Sequence, residues 1–259
     1  DNDFADLFEV RGEKRPRRGT GLAEIRGPAD VSLTYTGLDG KVRTTGLHFD
    51  PSPSRLTVNS ATYHLELAPQ QITSLFVAIS CNLLAEQKIV PFFRGLLAHR
   101  REMRESSAGA ASIETSNDIL NEVLCQAMAD LNMLMTETPD GRYPYAGIPW
   151  FSTTFGRDGL ITALQMLWLD PRVARGVLRR LARFQAKAFD PLSDAEPGKI
   201  LHEMRSGEMA ALREVPFACY YGSVDSTPLF VLLAGPYVER TGDVATLTEL
   251  WPALEAALG

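Results

Sequence analysis

The sequence predicts two successive architectures: an antiparallel β-sheet that forms part of a sandwich, then an all-α domain. Three observations carry that expectation. Residues 31–84 are rich in alternating, β-branched segments, residues 106–112 read SSAGAAS, and the regular patterns after that point have the 3.6-residue period of a helix.

In the first part, VSLTYTGLDGKVRTTGLHF alternates on both sides of Asp39-Gly40, a dipeptide that favours the positive-φ turn of a tight hairpin. RLTVNSATYHLELAP and QITSLFVAISCNLL continue with β-branched and aromatic residues bounded by Pro69 and polar breakers, so further strands are expected there. From about Glu86 to Glu105 the chain becomes charged and helix-permissive, and the small residues at 106–112 read as a flexible joint. The domain boundary is expected at that joint.

In the second part, SNDILNEVLCQAMADLNMLMTE puts Leu120, Val123, Leu124, Ala127, Leu131 and Leu134 on one helical face, with Thr115 and Asp118 spaced as a capping box. VARGVLRRLARFQAKA repeats the pattern, with Val173, Val177, Leu178, Leu181, Phe184 and Ala188 inward and Arg175, Arg179, Arg183 and Lys187 outward. Two more helices are expected over about 226–240 and 244–258, separated by Gly242-Asp243. Helices in succession without intervening strands predict an all-α domain. The long connections TPDGRYPYAGIPWFSTTFGRDG and DPLSDAEPGKILHEMRSGEMAALREVPFACYYGSVD are rich in Pro, Gly and aromatic residues. Loops of that length in a compact domain are usually functional or disordered, and the Trp and Tyr content disfavours disorder.

Composition narrows the function classes. A formal charge of −6 argues against nucleic acid as the main partner, since that binding is driven by clustered Lys and Arg. The basic runs at 11–18 and 94–104 read as a solvated loop or an exposed helix face. No stretch approaches the roughly 18 apolar residues of a membrane span. The acidic start DNDFADLFEV is unlike a secretory leader, so a cytoplasmic setting is expected. Cys81, Cys125 and Cys219 are odd in number and widely spaced, and are expected to be inert buried thiols. After His202-Glu203 the position that would carry a second zinc-binding His is Ser206, and neither a phosphate-binding glycine loop nor a Gly-x-Ser-x-Gly elbow is present. No metal and no cofactor are expected.

What remains is a set of acids in aromatic loops at helix starts: Asp158 in FGRDGL, Glu203 and Glu208 in LHEMRSGEM, and Asp225 in YYGSVDSTPLFVLL. Asp225 can be read as an N-cap, although Pro228, three residues on, has no N–H to donate and Ser226 is an equally good cap. It can also be read as a proton donor. Sugar hydrolysis needs one carboxylic acid to protonate the leaving oxygen and a carboxylate opposite it. Burial against Tyr220, Tyr221 and apolar neighbours would raise the pKa of Asp225 as that role requires. Asp158 has a parallel alternative as a first-turn acid favoured by the helix dipole. Trp150 and Phe155 read either as core or as faces on which sugar rings stack.

GIPWFSTTFGRDGLITALQML, GKILHEMRSGEMA and YYGSVDSTPLFV, in that order, resemble the active-site loops of amylo-α-1,6-glucosidase-type glycogen debranching enzymes. These belong to a wider group of glycosidases with (α/α)6 toroids that includes glucoamylases and trehalases. DNDFADLFEVRG and the strands after it resemble the latter part of the β-sandwich that precedes the toroid. The resemblance implies residues 1–85 as the end of that sandwich, 86–115 as a linker helix and joint, and 116–259 as the first part of the toroid. It implies Asp225 as general acid, Arg157 and Asp158 gripping hydroxyls of the terminal glucose, Trp150 and Phe155 lining that subsite, and Glu203 with Arg205 bordering it. The implied reaction is inverting hydrolysis of an α-1,6 or related α-glucosidic bond in an α-glucan or oligosaccharide, without metal or cofactor. Relatives often carry Trp where Phe230 stands, and the family's catalytic base is a glutamate expected beyond Gly259, so the chain reads as an internal portion of a longer protein. Rival readings are a non-catalytic carbohydrate-binding or scaffold protein that kept the toroid, and a helical solenoid, for which no repeat period is visible.

Overall fold

The computed structural model of the protein describes residues 2–82 and 92–259, and the chain divides into two compact units, Asp1–Arg104 and Glu105–Gly259.

The first unit opens with a single helical turn, α1 (Leu7–Val10), closed by a capping box in which Asp6 accepts from Phe8 N and Glu9 accepts from Asp6 N. Strands β1 (Thr20–Gly27), β2 (Asp30–Thr36) and β3 (Val42–Asp50) follow, and the sheet is completed by a later strand. The expected hairpin at Asp39-Gly40 joins β2 to β3, with Thr36 opposite Val42 and Gly40 at φ +72°. Val31, Leu33 and Tyr35 bury the inward face of β2, and Phe4 stacks on Tyr35. Strand β1 was not expected, because TGLAEIRG carries two glycines and two charges and is exposed along most of its length; only its register with β2, from Thr20↔Thr36 to Gly27↔Asp30, makes it a strand.

The strands expected over RLTVNSATYHLELAP shrink to two-residue pieces, β4 (Arg55–Leu56) and β5 (Ala61–Thr62). Prolines 51, 53 and 69 remove ladder donors around this segment, and Leu65, Leu67 and Ile72 are exposed among the described residues. Strand β6 (Phe76–Cys81) pairs antiparallel with β3, giving the sheet order β1-β2-β3-β6. The end of the expected strand at Leu83 and Leu84, and the onset of the expected linker helix at 86–91, lie outside the described residues. Helix α2 (Phe92–Ser107) runs on into the expected joint, whose remainder is a turn tied down by a hydrogen bond from Ala111 N to Leu169 O at 2.8 Å.

In the second unit, α3 (Asp118–Leu134) is capped by Asn117, which accepts from Leu120 N, and not by the expected pair; Thr115 bonds Asn117 and Asn121 instead. The apolar stripe of α3 is only partly covered: Met128 and Leu131 meet the core, while Leu120 and Val123 are exposed. The expectation of helices alone fails next. Strands β7 (Met135–Thr138) and β8 (Gly141–Pro144) form a hairpin, turning at Pro139-Asp140 with Gly141, the first residue of β8, at φ +118°.

Helices α4 (Gly156–Met166) and α5 (Pro171–Arg183) follow, the second capped by Asp170 with Pro171 at its first position. Val173, Val177, Leu178 and Leu181 are fully buried, as their spacing implies. Phe184 is already the C-cap and Ala188 is exposed, because the helix ends five residues before the periodic pattern does. Gly176 lets α5 lie directly on β8, where a Cβ would stand 2.2 Å from Arg142 O. After a 3-10 turn at Pro191–Ser193 and the short α6 (Glu208–Ala211) come α7 (Ser226–Thr241) and α8 (Val244–Leu258), broken by Gly242 at φ +67°. Helix α5 packs against β8, α4 and α7, and α7 packs against α4 and α8, around a core that includes Tyr143, Leu160, Ile200, Leu201, Phe230 and Leu233. Cys81 and Cys125 are exposed and Cys219 is half-buried, so the expectation of buried thiols fails. No helix among the described residues is long and apolar enough to cross a membrane.

Candidate functional site

The starts of α4 and α7 lie side by side. Gly156, the first residue of α4, has no room for a side chain: a Cβ there would fall 1.9 Å from Leu201 O and 2.9 Å from Ser226 Oγ, the first residue of α7. Its amide donates to His202 O at 2.8 Å. From that point a short three-stranded backbone ladder fans out, with Glu203 bridging both Phe155 and Tyr220. Met204 N donates to Thr154 O, Tyr220 N to Glu203 O and His202 N to Tyr220 O, at 2.8–3.2 Å. Loops separated by about fifty residues of chain are thus stitched together by main-chain bonds, whose geometry is indifferent to side-chain identity.

The first cluster on this ladder contains Arg157, Asp158 and Asp225. Arg157 Nη1 donates to Asp225 Oδ2 at 3.2 Å, joining α4 to α7 across 68 residues of sequence. Asp225 occupies the N-cap position of α7 but makes no capping bond; its own backbone is already helical, at φ −103° and ψ −25°. Ser223 takes over locally, accepting from Ser226 N at 3.3 Å and donating its hydroxyl to Asp225 Oδ1. Its signal in the sequence was only the Ser-x-Asp spacing, which is too common to single out.

The expected environment of Asp225 is corrected here. Tyr220 and Tyr221 turn their hydroxyls to Asp194 and to Phe184 O, and the Asp225 side chain stays 36% exposed. The Ser223 hydrogen bond holds the Asp225 carboxyl below its ordinary value against the opposing effect of burial, and the hydrogen bond and charge of Arg157 lower it further by smaller amounts. This group is ionised at neutral pH.

Arg157 and Asp158 also line a hollow of about 290 Å³, closed by Leu131 and Leu134 of α3, Tyr145 after β8, and Ile161. The Asp158 carboxylate makes no hydrogen bond among the described residues.

The second cluster is drier. Glu203 and Arg205 form a buried ion pair at 3.2 Å, and Arg205 Nη1 donates to Trp150 O at 2.5 Å. The guanidinium lies 4.8 Å from the Trp150 ring centre and 5.3 Å from that of Phe155. Phe155 is 7% exposed and supports Phe151, which meets it edge-on at 5.7 Å and is 49% exposed. The aromatic ring of this loop most open to solvent is therefore Phe151, with Trp150 half-buried beside it. His202 stands edge-on between Phe155 and Tyr220. Among the described residues no group of three or more His, Cys, Asp or Glu is arranged to hold a metal ion.

Residues 1–78 match the family model described as the N-terminal domain of (some) glycogen debranching enzymes. The match supports a member of the glycogen debranching enzyme family. It spans α1 to the start of β6 in the first unit, whereas the candidate site lies in the second. No curated protein matches the chain.

Proposed function

We propose that the protein is a glycoside hydrolase that cleaves α-1,6 or related α-glucosidic bonds of glycogen-like glucans with inversion, and that the helices after residue 116 are the first part of an (α/α)6 toroid. The observation that carries this reading is the position of Asp225: a carboxylate released from capping its own helix, open to solvent, and paired with an arginine that also lines a hollow. The size of the hollow is at the lower end for small-molecule sites.

In this reading the terminal glucose sits against Arg157 and Asp158, with Asp158 free to accept from its hydroxyls. Trp150, Phe155, Glu203 and Arg205 fix the shape of the neighbouring wall. Asp225, once protonated, gives its proton to the glycosidic oxygen as the bond to the anomeric carbon breaks. A water attacks from the opposite face, activated by a second carboxylate roughly 6.5–9.5 Å away.

The test is incubation of the whole protein with isomaltose and glycogen limit dextrin, following the released anomer by NMR. β-Glucose should appear first, and Asp225→Asn should lower kcat by at least about 100-fold with the fold intact. Initial α-glucose would contradict inversion, and an Asp225→Asn variant with near-normal turnover would remove Asp225 from the acid role. A second reading, a glucan-binding protein without hydrolysis, is favoured by the ionised state of Asp225. It predicts saturable binding of isomaltose with no glucose released.

A further inference from the structure

A general acid has to carry a proton, yet Asp225 stands as a carboxylate with an arginine on it. We propose that Arg157 is a latch on Asp225: it pairs with the carboxylate and is drawn off by an incoming sugar, so that Asp225 binds its proton more readily when substrate is present. The identity of the incoming ligand rests on the glycosidase reading above.

The geometry supports a contact made to be broken. Only one hydrogen bond, Nη1 to Oδ2 at 3.2 Å, joins the two groups, where a committed arginine–carboxylate pair would use both prongs of the fork. Both side chains are open to water, Arg157 at 49% and Asp225 at 36%, which keeps the attraction weak. The same arginine borders the hollow that Asp158 lines, and Asp158 has no hydrogen-bonding partner among the described residues. Sugar hydroxyls entering that hollow add acceptors for the guanidinium and draw it from Asp225.

Of the charged groups acting on Asp225 from the elements packed around it, Arg157 of α4 is the one cation among the described residues; the other groups that stabilise the carboxylate are the Ser223 hydroxyl and the backbone amide of Asp225 itself. When Arg157 leaves, Ser223 remains to orient the carboxyl. The carboxylate takes one proton from water, passes it to the glycosidic oxygen as that bond breaks, and returns to the anionic form that Arg157 recaptures. Arg157 is thereby a positioning residue for the acid, in addition to any contact with the sugar.

The experiment follows the Asp225 carboxyl by carbon NMR in aspartate-labelled whole protein, assigned with Asp225→Asn, in wild type and Arg157→Gln. Each is titrated alone and with saturating sulfur-linked isomaltose, which cannot be hydrolysed. In the sugar-free wild type the midpoint should lie below that of an ordinary aspartate. Arg157→Gln should move it upward. The sugar analogue should move the wild-type midpoint upward and leave that of Arg157→Gln in place. A midpoint equal in wild type and Arg157→Gln overturns the latch, as does a bound analogue that leaves the wild-type midpoint where it was, and in that second case the glycosidase reading survives. An analogue that perturbs no resonance in either protein sinks the glycosidase reading, and the latch with it.

Discussion

Arg180 of α5 donates Nε to Thr154 Oγ1 at 2.7 Å, and both residues are buried, Thr154 completely. A charged residue is out of place on the inward side of an apolar helix unless something holds it there. Here Nη1 also meets Asp140 in the β7–β8 turn at 3.2 Å, so one guanidinium ties the hairpin to the loop that carries Trp150 to Asp158. Thr154→Val, nearly the same shape, should cost about 1–3 kcal/mol in urea unfolding by leaving a buried donor without its acceptor. Arg183→Met, at an exposed position that also reaches Asp140, should cost less than about 1 kcal/mol. Equal effects of the two changes would show that the buried bond does not hold the loop.

Two aspartates stand at the N-cap positions of consecutive helices and should respond differently to truncation. Asp243 accepts from Thr246 N, Thr246 Oγ1 and Tyr237 Oη at 2.6–3.0 Å, whereas Asp225 caps nothing. Asp225→Ala should therefore change unfolding free energy by less than about 1 kcal/mol, the range of a half-exposed ion pair. Asp243→Ala should lower Tm by clearly more. A reversal of that order in thermal scans would mean that Asp225 serves α7 and not a ligand.

The sequence made these helices legible where periodicity and punctuation agree: Val173, Val177, Leu178 and Leu181 are buried as spaced, and Gly242-Asp243 separates α7 from α8. It misled where two signals compete. MTET follows α3 with helix-compatible residues, and only Pro139-Asp140-Gly141 betrays the hairpin. The loops of the site could be chosen from the sequence, but not their joining, since the bonds from Gly156, Met204 and Tyr220 are main-chain and leave no side-chain signature. The charge state of Asp225 escapes the sequence because its leading cause, the Ser223 hydroxyl, shows only a common Ser-x-Asp spacing, and the arginine that adds to it lies 68 residues away.

Acid should destabilise both units. Asp39, held by two bonds from Arg43 at 2.8–3.0 Å, and Asp243, held by Thr246 and Tyr237, both have carboxyls lowered to about 2. An ordinary aspartate titrates near 3.8. Since the folded values lie below the unfolded one, the stabilisation is complete above about pH 4 and is lost as pH falls toward about 2. Thermal unfolding between pH 6 and 2 should show Tm dropping in that window. Asp39→Asn and Asp243→Asn should each flatten the drop, and a slope unchanged in both variants would assign the acid sensitivity to other groups.

The wall of the site offers a test of shape separate from charge. Arg205 is buried with its plane against Trp150 and Phe155, one prong on Trp150 O and another on Glu203. Lysine keeps the charge but cannot supply the plane or the fork. Arg205→Lys should therefore cost about 2–3 kcal/mol from lost stacking and an unmet carbonyl bond. Arg205→Met leaves the Glu203 carboxylate buried without its cation, and should cost about 3–5 kcal/mol. Adding Glu203→Gln to Arg205→Met should recover part of that loss, because the stranded charge is gone. A double-mutant cycle in urea reads the coupling directly. If Arg205→Lys unfolds with the wild type, the pair is held by charge alone, and the aromatic rings beneath it contribute packing but not orientation.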